Sequence, residues 1–154
     1  MVLKPSNPPI TACFVSWLGY GGLIPFLTFA VLAWTDRQRT MLWQGNLLAY
    51  GAVILSFIGA LHWGVAMAPG KISEGQRRAM FAWSIVPSLM AFLALAAHSG
   101  FGNVLLASGF LLHYGMDQRI AKCAALPAWY LRLRLRLSLI AIICLAAGAF
   151  ATGT

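Results

Sequence analysis

Apolar residues run through five long stretches of this chain, at about 10–34, 41–68, 79–97, 101–116 and 128–151, with short polar segments between them. A helix needs about 20 mostly apolar residues to cross a bilayer, so the pattern predicts an all-α polytopic membrane protein, a single five-transmembrane-helix bundle occupying residues 1–154. Residues 10–34 are too long for a signal-peptide core and end in Thr35-Asp36-Arg37 rather than a cleavage site, so they read as a retained span. Pro25 follows Gly19, Gly21 and Gly22 there and predicts a kink. The fourth stretch is the shortest; sixteen helical residues reach roughly 24 Å, so it spans by thinning the bilayer or by extending into Asp117. Gly and Asn at 98–103 suit a tight helical hairpin with Asn103 opening the helix, and His98 is read there as solvated. Residues 131–137 alternate Leu and Arg, which alone signals a strand. A lone strand beside a membrane has nothing to pair with, so the segment reads as the first turns of the fifth helix, its Arg stems snorkelling to headgroups.

Composition narrows the picture. The chain is 60% hydrophobic and 9% charged, far from the roughly 25% charged residues of a soluble domain. Nine of the eleven Lys/Arg residues (Lys4, Lys71, Arg77, Arg78, Arg119, Lys122, Arg132, Arg134 and Arg136) fall on one side of the predicted membrane, and Arg37 and Arg39 on the other. The positive-inside rule then places the N-terminus and Lys71 in the cytoplasm and Thr154 outside, as in a bacterial inner membrane. These basic residues flank apolar spans, so the expected partners are anionic lipids and not nucleic acid. Arg119, Lys122, Trp129, Tyr130, Arg132, Arg134 and Arg136 are the candidate headgroup contacts. Cys13, Cys123 and Cys144 show no CxxC or metal-ligand spacing.

Few residues can carry chemistry. Ala52, Ser56, Ala60, Gly64 and Ala68 recur every four positions on the second span and make a shallow groove for close helix packing, against a neighbouring span, a membrane protein partner or a second copy. His62 lies roughly 160° from Ala60 around the same helix. His113 and Asp117 are spaced i, i+4 and share a face of the fourth span. Antiparallel spans bring all three to one depth, and ionisable groups at such positions are functional candidates by default. They predict a small-ligand site for a lipid, quinone or tetrapyrrole, with Trp63 and Tyr114 as aromatic walls. The alternative is structural: His62 donating to a carbonyl on a neighbouring helix, and Asp117 pairing with Arg119 or a loop Arg. No metal site is expected, nor a cofactor, although His62 and His113 allow a haem. Hydrolase, metalloprotease and phosphate-loop motifs do not occur, which speaks against an enzyme. A non-enzymatic binding, accessory or assembly factor is therefore the first functional expectation, and a transporter or sensor using His62, His113 and Asp117 the second.

Taken in order, the segments Leu18-Gly-Tyr-Gly-Gly-Leu-Ile-Pro-Phe26, Ser56-Phe-Ile-Gly-Ala-Leu-His-Trp-Gly64, Trp83-Ser-Ile-Val-Pro87, Asp117-Gln-Arg119 and Leu126-Pro-Ala-Trp-Tyr130, with Leu133-Arg134 after them, resemble the membrane family called domain of unknown function 3429, which includes mitochondrial transmembrane protein 69. Arg134 matches that pattern; Arg132 and Arg136 do not belong to it. The resemblance implies a bacterial inner-membrane protein with a mitochondrial counterpart and brings no activity. The translocator-protein family is similar in architecture only.

Overall fold

The computed structural model describes residues 10–69, 72–97, 99–124 and 126–151, apart from the side chain of Ser99. Lys4, Lys71, His98 and Thr154, on which the orientation and one loop reading draw, lie outside the described residues. The chain forms helices α1 (Ile10–Gly21), α2 (Ile24–Thr35), α3 (Thr40–Met67), α4 (Glu74–Ala96), α5 (Ser99–Ile120) and α6 (Ala128–Phe150), with a short 3-10 turn at Arg37–Arg39. The described residues contain no strand. The Leu/Arg alternation at 131–137 lies within α6.

Four segments are long and apolar enough to cross a membrane: Ile10–Thr35, Arg37–Met67, Glu74–Ala96 and Ala128–Phe150. Helix α5 has 22 residues, six more than its apolar stretch, and reaches about 33 Å without bilayer thinning. Its polar side chains lower its hydropathy, yet Asn103, His113 and Asp117 are all buried inside the bundle. Helix α5 therefore begins before Asn103, which lies within it and does not cap it.

The first span is interrupted rather than kinked. Pro25 cannot donate and its ring crowds the preceding turn, so α1 stops at Gly21 and α2 restarts with the proline in its first turn. Tyr50 of α3 donates to the carbonyl of Gly22 at 2.9 Å, which satisfies backbone freed by the break.

Helix α3 buries Leu47, Leu48, Gly51, Ala52, Leu55, Ile58, Gly59, His62 and Ala66, an i, i+3, i+4 stripe. Of the predicted packing ribbon only Ala52 belongs to it. Ser56 is half-buried and spends its hydroxyl on the carbonyl of Ala52, while Ala60, Gly64 and Ala68 are exposed. The ribbon is thus corrected as an internal packing face: a helix that buries His62 must turn Ala60 outward. Small residues that do bring α3 close to its neighbours include Gly59, where an added Cβ would lie 3.0 Å from Pro87 Cβ, Pro87 Cγ and the carbonyl of Ser84.

Each end of the bundle is closed by side chains. At one end Gln44 donates to the carbonyls of Gly148 and Ala151 at 2.7 and 2.9 Å, and Trp34 to that of Ala147 at 2.9 Å. At the other, Ser73 and Gln76 form a capping box at the start of α4, and Arg77 donates to the last carbonyls of α3, Ala66 and Ala68.

Candidate functional site

The second closed end also holds the polar cluster. Helices α3 and α5 run toward it and α4 and α6 away from it, so His62, Trp83, His113, Asp117, Tyr130 and Arg134 reach one depth. Asp117 is the hub, only 1% exposed. Its Oδ1 accepts from His62 Nε2 at 2.8 Å and from the Tyr130 hydroxyl at 3.4 Å, and its Oδ2 accepts from Arg134 Nε at 3.0 Å. His113 Nε2 faces Oδ1 at 3.7 Å, beyond hydrogen-bond reach. The two imidazoles stack with centroids 4.4 Å apart and planes at 21°.

The donors assign the ring protons. An indole N–H only donates, and Trp83 Nε1 meets His113 Nδ1 at 3.3 Å, so Nδ1 is the acceptor and Nε2 carries the proton. His62 directs Nε2 at a carboxylate, so Nε2 carries its proton too. A neutral ring satisfies the acceptor role of His113, and the Asp117 carboxylate is paired with the Arg134 guanidinium.

His62, His113 and Asp117 each offer a ligand atom, all within 4.8 Å of one another. That spacing suits a cation, but the surroundings do not. Binding through His113 Nε2 would need Nδ1–H against the Trp83 donor, and Arg134 already brings a positive charge to the carboxylate. The stacked rings also present no opposed nitrogens between which a haem iron could sit. These residues fit a hydrogen-bonded cluster better than a metal or haem centre.

Several assignments change. Arg134 is not a snorkelling headgroup contact: it is 7% exposed and ion-paired inside the bundle. The 100° turn per residue explains why, since Arg132 and Arg136 share a face and Arg134 points away from both. Arg132 and Arg136 are exposed, as are Arg119 and Lys122, which flank an open groove of about 640 Å³ with Gly115, Gln118, Ala121 and Leu131. Tyr130 is half-buried and turned to Asp117. Half-buried Trp129 packs edge-on against it, with centroids 6.4 Å apart. Trp63 is no wall of the cluster: it is 45% exposed and packs edge-on against Phe81. Tyr114 is half-buried and enters none of the cluster's hydrogen bonds. The aromatic partners are instead Trp83 and Tyr130. The structural alternative fails in detail as well, because His62 meets a carboxylate rather than a carbonyl, and the partner of Asp117 is Arg134 rather than Arg119 or a loop Arg.

Beside the cluster lies a cavity of about 320 Å³ between α1, α2, α3, α5 and α6. Its walls are apolar, with Leu23, Phe26, Ile54, Phe110 and Leu137 among them, and its polar end is formed by Tyr130, Arg134 and Ser138. Arg134 Nη2 and Ser138 Oγ are buried there without a hydrogen-bond partner among the described residues. Leu18, Phe57 and Leu61 also line it and are exposed, so its mouth opens on the lipid-facing side.

Comparisons with known proteins agree with this architecture. Residues 12–150 match the family model described as "Protein of unknown function (DUF3429)". Transmembrane protein 69 of Xenopus tropicalis is 31% identical over 133 residues, which cover 84% of this chain and 51% of the relative, so the chain spans about half the length of the curated relative it matches. No solved structure matches. The chain belongs to the DUF3429 family, whose activity is uncharacterised, and it is a multi-pass membrane protein.

Proposed function

We propose that this DUF3429 protein binds a small apolar molecule from within the membrane, holding its polar head against Arg134, Ser138 and Tyr130. One observation carries the reading: an apolar cavity of about 320 Å³ is lined at its polar end by Arg134 and Ser138, whose Nη2 and Oγ are buried without partners among the described residues. A buried polar atom left unpaired costs about 1–3 kcal/mol, and a ligand acceptor removes that cost. The volume lies at the lower end of the range of about 300–1,000 Å³ for small-molecule pockets. It suits one ring or a short chain segment, the rest leaving through the mouth at Leu18, Phe57 and Leu61. The His62–Asp117–His113 cluster is then the support that fixes Arg134, and the protein acts as a carrier or sensor rather than a catalyst. The gathering of basic residues at this end supports a cytoplasmic-side position in an inner membrane.

The test is retention. Protein purified in mild detergent, extracted with organic solvent and analysed by mass spectrometry, is expected to yield a near-stoichiometric apolar molecule. Leu18→Trp at the mouth reduces that yield without loss of fold. A wild-type extract that holds only bulk lipid in membrane proportions contradicts the proposal.

An accessory role through a membrane protein partner has its own support in the exposed Ala60, Gly64 and Ala68 ribbon, where a second helix can approach closely. Gly64→Leu then removes a co-purifying partner while leaving the retained small molecule unchanged. Anionic lipid remains the proposed contact of Arg119, Lys122, Arg132 and Arg136.

A further inference from the structure

The polar end of the cavity constrains the ligand's head in two ways, and we infer that the molecule it takes is a neutral carbonyl-headed lipid, of which an alkylated benzoquinone and an acyl ester are the two sources. The inference rests on the binding reading above and deepens it.

The first constraint is donor and acceptor type. Arg134 Nη2 can only donate, and Ser138 Oγ one helical turn further along α6 has a proton free to give. Asp117 is turned to the protein's own donors, taking His62, Tyr130 and Arg134 at 2.8, 3.4 and 3.0 Å. A carbonyl oxygen finds two donors here, whereas an ammonium head would meet the positive charge of the Arg134 guanidinium.

The second constraint is charge. Asp117 and Arg134 are a matched ion pair, 1% and 7% exposed, and His113 accepts from Trp83 as a neutral ring. A carboxylate entering beside them would bring a second negative charge against one guanidinium. The other basic residues of α6, Arg132 and Arg136, lie on its exposed face and cannot balance it. An unmatched charge at such a depth is costly, so the balanced pair selects against an anion while still offering donors. The remaining walls, including the rings of Phe26 and Phe110, ask nothing more than an apolar body.

The experiment measures direct saturable binding of three radiolabelled probes to the full chain in nanodiscs of uncharged lipid: a dimethoxybenzoquinone with a decyl tail, methyl decanoate and decanoate, with tails of nearly equal length. The better of the two neutral probes is expected to bind about tenfold or more tightly than decanoate, and whichever it is assigns the source. Ser138→Ala, which removes a hydroxyl that holds nothing in the protein, weakens that probe about fivefold. Asp117→Asn keeps an acceptor for Arg134 but leaves the guanidinium unbalanced, so the ordering reverses in favour of decanoate. Decanoate ahead in the wild type overturns the inference, as does an unchanged ordering in a folded Asp117→Asn protein. If that variant does not fold, the wild-type ordering decides alone. Saturable binding of decanoate alone refutes the head-group assignment and leaves the binding reading standing. Absence of saturable binding by all three probes removes the binding reading, and this inference with it.

Discussion

The two ends of the bundle use polar side chains in different ways. At the end where α3 begins, every named polar contact serves the backbone or a surface turn. Gln44 and Trp34 take carbonyls at the C-terminal end of α6, Thr40 donates to Ala33, and Trp43 holds Asp36 at 3.1 Å. This is what a helix terminus near a membrane surface requires, since orphan carbonyls need donors. At the end where α3 finishes, Arg77 does the same work for Ala66 and Ala68, but a second set of side chains bonds to one another around Asp117 and leaves donors over. Closing the fold does not account for that surplus. The lesson is that polarity inside a membrane bundle marks a site where it exceeds what the helix ends consume.

Variants at the two ends should therefore separate stability from binding. The largest effect is expected for Asp117→Leu, which strands Arg134 and His62 together; losing one partner of a buried pair costs about 3–5 kcal/mol, read as loss of thermal stability in detergent. Arg134→Gln belongs to the same class and should exceed Arg132→Gln by several-fold in the same assay, although all three arginines sit in one alternating run. Gln44→Leu at the opposite end removes two bonds and should cost about 2 kcal/mol, with ligand retention unchanged. Trp83→Phe loses one hydrogen bond, about 1 kcal/mol, and frees His113 Nδ1. Nitrogen-15 chemical shifts of the His113 ring should then move away from a pure Nε2–H tautomer, and an unmoved ring would remove Trp83 from the network. The smallest change in stability, within about 0.5 kcal/mol, is expected for the paired Arg132→Gln and Arg136→Gln substitutions. Those same changes weaken anionic-lipid association by about 1 kcal/mol per charge in a vesicle-binding assay.

Much of this was legible in the sequence because a membrane restricts what a helix can do. Four spans follow from their apolar lengths, and the convergence of His62, His113 and Asp117 from helical spacing and antiparallel direction. The role of Arg134 was hidden by its neighbours. Three arginines alternating with leucine read as one interfacial group, although a helix turns the middle one about 200° from Arg132. That angle, together with the excess of buried donors over acceptors, was the available signal. Trp83 carried no such mark, because which indole meets His113 depends on how closely α4 approaches α5. The cavity was not legible either: it comes from the break between α1 and α2, and a Pro after glycines predicts interruption without saying how far the two halves diverge.

The central claim, that the surplus donors serve a molecule seated beside them, is tested most directly by photolabelling. A benzoquinone whose decyl tail carries a diazirine, irradiated with the full chain in nanodiscs, should form adducts on Leu18, Phe57, Leu61 and Leu137, and excess unreactive probe should suppress them. Adducts spread over exposed apolar residues elsewhere, such as Phe92 and Ile143, and unaffected by competitor, would contradict it.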